Sequence, residues 1–116
     1  MEHEARKHLW DARKATDAVT RFTQGKTFED YVSDDFFRSA VERQLQNVGE
    51  AIAQLAKVNA HMAERVPEFR EIIAFRNILV HGYALLDNQL VWRAVEEDVP
   101  KLRAALERLL AEADKD

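Results

Sequence analysis

The chain has no cysteine, which excludes disulfides and thiolate metal sites and leaves no sign of an oxidising compartment. Glycine and proline are scarce, three and two in 116 residues. No Asn-Gly or Asp-Gly pair and no sustained period-two alternation marks a hairpin. Positive charge is not in excess either: 17 Lys and Arg face 21 Asp and Glu, a net charge of −4. That balance argues against an arm or patch that holds nucleic acid by bulk charge, so any RNA or DNA chemistry needs a local site. No apolar run approaches the ~20 residues of a membrane span, and the N-terminus, MEHEARKHLW, is charged from its second residue. The expectation is a soluble, cytoplasmic protein with no membrane partner, a single domain around one core over residues 1–116.

What is present points to helices. Hydrophobic residues make up 47% and charged residues 33%, and Ala, Leu, Glu, Arg and Gln, all good helix formers, dominate. A first helix is predicted from about His3 to Thr23, with Leu9, Ala12, Ala15, Val19 and Phe22 on one stripe. Gly25 stands where a C-terminal cap belongs. Thr27 opens TFED, a hydroxyl followed three residues later by an acid, the pattern of a capping box for a short helix. Ser33 or Asp34 then caps the longest helix, about Asp35 to Arg65, whose stripe is Phe37, Val41, Leu45, Val48, Ile52, Leu55 and Met62. Its near-heptad spacing fits a bundle seam, within the chain or between two chains. Gly49 lies inside that stripe at ~1 kcal/mol relative to Ala. Either another backbone approaches it closely or it is merely tolerated; both readings carry equal weight. Pro67 suits the first turn of a helix from about Glu68 to His81, which Gly82 breaks. Asp87 or Asn88 caps a segment through Glu96, and Pro100, two residues after Asp98, restarts or kinks the last helix. That helix has Leu102, Leu106, Leu109, Leu110 and Ala113 on its apolar face. The fold class is all-α, an up-and-down bundle of four to five helices with a kinked C-terminal helix.

One segment carries more polar groups than folding needs. FRNILVHGY, Phe75 to Tyr83, brings Arg76, Asn77, His81 and Tyr83 to a helix end beside a glycine, while Phe75, Ile78, Leu79 and Val80 suffice to bury it. Asn77 and His81, four apart, share a face, and Arg76 and Tyr83, seven apart, share another. Arg76 and His81 stand roughly 140° apart at 100° per residue. They converge on one small group only if the last turn loosens at Gly82 or a second chain contributes. Bland readings stand beside the functional one. Arg76 could pair with Glu71 or with an acid on another helix, His81 could be a cation favourable to the helix dipole, and Tyr83 could cover the core. Other groups point to no site. His3, Glu4 and His8 would be loose metal ligands near a terminus, His61 is a surface residue, and Glu96, Glu97 and Asp98 form a solvated helix start. With no Gly-rich phosphate loop, no Gly-x-Ser-x-Gly elbow and no carboxylates spaced for two metals, no cofactor or metal is implied.

The segment resembles the Arg-x4-His-x-Tyr signature of the HepT-like branch of the HEPN superfamily, small all-α proteins. The likeness continues in FTQGKTFEDYVSDD, in VERQLQNVGEAI with Gly49, Glu50 and Ala51, and in DNQLVWRAVEEDVPKL with Trp92 and Pro100. It covers roughly Leu9 to Leu109 in order. The resemblance implies a homodimeric, metal-independent ribonuclease, the toxin of a toxin–antitoxin pair. Its antitoxin would be a minimal nucleotidyltransferase able to transfer AMP to the motif tyrosine, here Tyr83.

The residue types suit that chemistry. RNA cleavage by the 2′-hydroxyl needs a base, an acid for the departing 5′-oxygen, and a cation for the phosphorane. Histidine suits both proton transfers, and arginine offers a charged fork to phosphate oxygens. His81 is therefore expected as the acid/base and Arg76 at the phosphate. Asn77 would orient His81 or contact phosphate, and Tyr83 would bind or position RNA. One histidine per chain makes the reaction easier in a dimer. Two other readings stay open: a non-catalytic module that binds a nucleotide or docks a nucleotidyltransferase, slightly favoured by the acidic charge, and a plain dimeric scaffold.

Overall fold

The computed structural model describes residues 2–115, with the side chains of Tyr83 and Lys115 outside the described set. Seven α-helices account for most of it: α1 (His3–Thr23), α2 (Phe28–Ser33), α3 (Asp35–Val58), α4 (Ala60–Glu64), α5 (Phe69–His81), α6 (Asn88–Arg93) and α7 (Val99–Lys115). No strand occurs among the described residues, and no helix there is long and apolar enough to cross a membrane. The fold is the expected all-α bundle, with α1, α3, α5 and the continuous α6–α7 segment as its long members.

Local chemistry sets the boundaries. Gly25 takes φ 74° just after α1, a conformation that costs a residue with a side chain more. At α2, Thr27 Oγ1 accepts from the Asp30 N–H at 3.2 Å, and Asp30 accepts from the Thr27 N–H at 2.9 Å. This is the predicted capping box. The bond from the Thr27 N–H holds the Asp30 carboxyl below its ordinary range. Asp34, not Ser33, caps α3 by accepting from the Phe37 N–H.

Two expectations about helix ends fail. The longest helix stops at Val58 rather than running to Arg65, because Asn59 leaves helical geometry at φ −156° and its side chain accepts from the Met62 N–H, starting α4. Pro67 is not in the first turn of α5 but precedes it. Glu68, in the left-handed region at φ 57°, supplies the turn into that helix.

The last segment resolves the question raised by Pro100. Residues Ala94–Asp98 form a π turn between α6 and α7, and the Val99 N–H reaches back to the Ala94 carbonyl. Asp98 therefore ends a wide turn instead of capping a fresh helix. The turn gives the ring of Pro100, which has no N–H, room beside the preceding carbonyls.

The core has two ends. One gathers Ala5, Leu9 and Ala12 of α1, Ile52 and Leu55 of α3, and Leu106, Leu109 and Leu110 of α7. The other gathers Val19, Tyr31, Phe37, Val41, Leu45, Leu79, Val91 and Trp92. The start of α1 thus lies against the end of α3 and its end against the start of α3, so the two run antiparallel. The heptad-like stripe of α3 is buried inside the chain. Phe22 is the exception among the stripe residues of α1: it is exposed.

Tyr31 anchors the second end. It is fully buried, tilts against Trp92 with ring centroids 5.6 Å apart, and donates its hydroxyl to Glu42 at 2.7 Å. Tyr31→Phe keeps the packing and removes one bond to a buried carboxylate. It is expected to cost about 1.5–3 kcal/mol in a urea unfolding curve, with the slope unchanged.

Candidate functional site

Arg76, Asn77 and His81 occupy the second half of α5, which packs on α3, and Tyr83 follows its end. Leu79 is buried and Ile72 packs inward, so they centre the buried face of this helix. Arg76 sits at the edge of that face. A Cβ placed on Gly49 would overlap the Arg76 Cβ and lie 2.7 Å from its Cγ and 3.4 Å from its Cα. The close-approach reading of Gly49 is therefore the right one: α3 has no side chain there because the stem of Arg76 fills the space.

The guanidinium is held at its far end. Arg76 Nη1 donates to Glu50 Oε2 at 2.9 Å, with the arginine side chain 20% exposed and the glutamate 54%. The partner is an acid on another helix, not Glu71. Arg76 Nε is buried and has no hydrogen-bond partner among the described residues. A buried N–H of a charged group left unpaired is costly. Glu50 thus fixes one nitrogen of the fork, and no described residue accepts from Nε.

Asn77 and His81 stand elsewhere on the helix. Both are exposed and lie one turn apart on one face. By helix geometry His81 is roughly opposite the buried face. The last turn does not loosen, since the Gly82 N–H still bonds the Ile78 carbonyl at 3.0 Å. Within one chain, Arg76 and His81 therefore point apart. Tyr83 begins a 3-10 turn, Tyr83–Leu85, beyond the end of α5, so the two-turn α-helical alignment with Arg76 does not apply. The expectation for its side chain lies outside the described residues.

Several large apolar side chains are exposed from the end of α5 through α6. Ile78 is 36% exposed, Leu90 55% and Leu85 77%, and the three border one shallow depression of about 200 Å³ with Phe75 and Leu86. On its other side Arg76 lines a cleft of about 300 Å³ between α5 and α7, walled by Ile72, Phe75, Val99 and Leu102. The sequence marks Gly49 as a candidate close approach but assigns Glu50 no pairing with Arg76. Their signal was a glycine inside a helix that otherwise avoids it, followed at once by an acid.

A family model described as "Ribonuclease HepT-like" matches residues 12–109. The chain belongs to the HepT-like ribonuclease family. It is 33% identical over 101 residues to "Putative RNase MJ1380" of Methanocaldococcus jannaschii, covering 85% of this chain and 90% of that one. It is 30% identical over 109 residues to "Probable ribonuclease HepT" of Thermococcus cleftensis, covering 94% and 98%. No solved structure matches it. Among the described residues no three His, Asp or Glu side chains are grouped as a metal ion would require.

Proposed function

We propose that the protein is a metal-independent endoribonuclease, the toxin of a toxin–antitoxin pair, acting as a homodimer in which each site combines Arg76 of one copy with His81 of the other. The observation that carries this reading is the state of Arg76. Its stem is locked against Gly49, one nitrogen is tied to Glu50, and its Nε is buried with no hydrogen-bond partner among the described residues. A pre-oriented cation of this kind suits the charge that develops on a phosphorane. The names of the relatives support RNA as the substrate.

The divergence of Arg76 and His81 supports the second copy. Exposed Ile78, Leu85 and Leu90, which border one depression with Asp87 and Asp98, offer an apolar surface for a partner to cover. In the dimer, His81 takes the proton of the 2′-hydroxyl, and the 2′-oxygen bonds to phosphorus. The 5′-oxygen leaves with the proton that His81 has taken up, giving a 2′,3′-cyclic phosphate and a 5′-hydroxyl. Asn77, one turn from His81, orients the imidazole or contacts phosphate. A minimal nucleotidyltransferase antitoxin would silence the site by transferring AMP to Tyr83, next to the helix end.

Purified protein, with Tyr83 shown by mass to be unmodified, is expected to cut cellular RNA in the presence of EDTA and to leave cyclic phosphate ends. Chelator-resistant cleavage with those ends supports the assignment; intact RNA overturns it. In the latter case the α5–α7 cleft, with Arg76 in its wall, favours the second reading, a non-catalytic module that binds a nucleotide.

A further inference from the structure

We propose that the groove between α1 and α3 holds a single-stranded nucleic acid by its phosphates and delivers it to Arg76. The proposal rests on the ribonuclease reading and adds the path of the substrate. The groove encloses about 600 Å³ and is lined on the α1 side by Lys7, Lys14 and Arg21. These three recur every seven residues, so they form one row about 21 Å long at 1.5 Å per residue. The α3 wall opposite them carries Gln44, Asn47 and Gln54, amides able to donate and accept without adding charge, beside Glu50, while Asp11 lines the α1 side.

The chain as a whole is acidic, and the rest of α1 shows how its cations are normally neutralised. Arg6 binds Asp114 of α7 at 2.6 Å, and Arg13 faces Asp17 and Glu107. The row on the groove side is treated differently. Lys7 has Asp11 at 3.5 Å, but Lys14 and Arg21 have no ion pair among the described residues. Each instead lies over an exposed aromatic ring, Lys14 over Trp10 at 5.3 Å and Arg21 over Phe22 at 5.9 Å. Trp10 is 47% exposed and Phe22 38%. Phe22 lines the groove and Trp10 stands beside Lys14, and cations combined with aromatic rings are a means by which single strands are held without sequence preference. Glu50 lines the same groove and is the residue bonded to Arg76. Glu50 thus joins the groove to Arg76.

The test uses the whole protein and a deoxyuridine oligonucleotide, which carries the phosphates but no 2′-hydroxyl and so stays intact. The combined variant Lys7→Gln, Lys14→Gln, Arg21→Gln is expected to bind it at least about tenfold more weakly in fluorescence anisotropy, and the slope of log affinity against log salt should shrink by about 2. The variant should also cleave long RNA more slowly through KM, while a dinucleotide too short to enter the groove is cut at the wild-type rate. Unchanged affinity and slope, or equal competition by polyglutamate, overturns the proposal. If wild type binds the oligonucleotide with the expected slope and cuts no RNA, the groove stands and the nuclease reading falls. If wild type and variant cut long RNA equally, the nuclease reading stands and the groove falls.

Discussion

His81→Ala is expected to lower RNA cleavage by about 10²–10⁴-fold, the range for losing a positioned acid or base, while stability stays within about 0.5 kcal/mol of wild type. The stability half follows from exposure. His81 faces away from the bundle, and its contribution to folding is that of a basic residue in the last turn of α5, below ~1 kcal/mol. The activity half can be sharpened by mixing. If a site takes Arg76 from one copy and His81 from the other, a heterodimer of Arg76→Ala and His81→Ala chains regains one intact site, although neither parent is active. If both residues act from the same chain, every site in that heterodimer is broken. Cleavage restored on mixing supports the composite site; two inactive parents that stay inactive together, with heterodimers shown by native mass, rule it out.

The second large effect comes from a residue that touches no substrate. Gly49→Ala should stabilise α3 by ~1 kcal/mol if propensity alone decided. The geometry reverses the sign, because the new Cβ would overlap the stem of Arg76. The obstacle is the Cβ and Cα of a helix, not a flexible tip, so α5 as a whole must move out. Overpacking of this kind costs typically 1–3 kcal/mol, which outweighs the propensity gain. Arg76 moves with α5 and loses its fit to Glu50. The expected outcome is a lower unfolding midpoint together with a fall in cleavage larger than the lost stability explains. A stabilised and fully active Gly49→Ala variant would sink this account. Glu50→Gln offers a milder companion, since it keeps the stem packing and weakens only the tether.

Much of the fold was legible because its signals are local. The Thr27 and Asp30 capping box, the cap at Gly25, the break at Gly82 and the stripes of α3 and α7 each depend on residues a few positions apart. Asn59 was not legible as a break, because the apolar stripe continues through Met62 and only the bond from the asparagine side chain to the Met62 N–H decides for a new helix. The π turn was half visible: Pro100 announces a disturbance, but several backbone patterns could absorb it. At the site, the 140° between Arg76 and His81 was readable from spacing alone. What spacing could not supply was the partner of Arg76. That depends on how α3 docks against α5, which Gly49 permits. The exposure of Phe22 was hidden for a similar reason, since its position on the stripe of α1 is correct and only the packing of α3 against α1 leaves it open at the groove.

The closure of α1 on α7 has a consequence for handling the molecule. Arg6 and Asp114 are joined, and so are Arg103 and Asp17 further along, so the first and last helices run antiparallel and their outer ends meet. That meeting point belongs to the end of the bundle built around Leu9, Leu55 and Leu110, whereas Leu79, two residues from His81, belongs to the other. A tag or a fused protein at either terminus therefore emerges on the side remote from His81. A circular permutant that links the termini with a short spacer would have little distance to bridge.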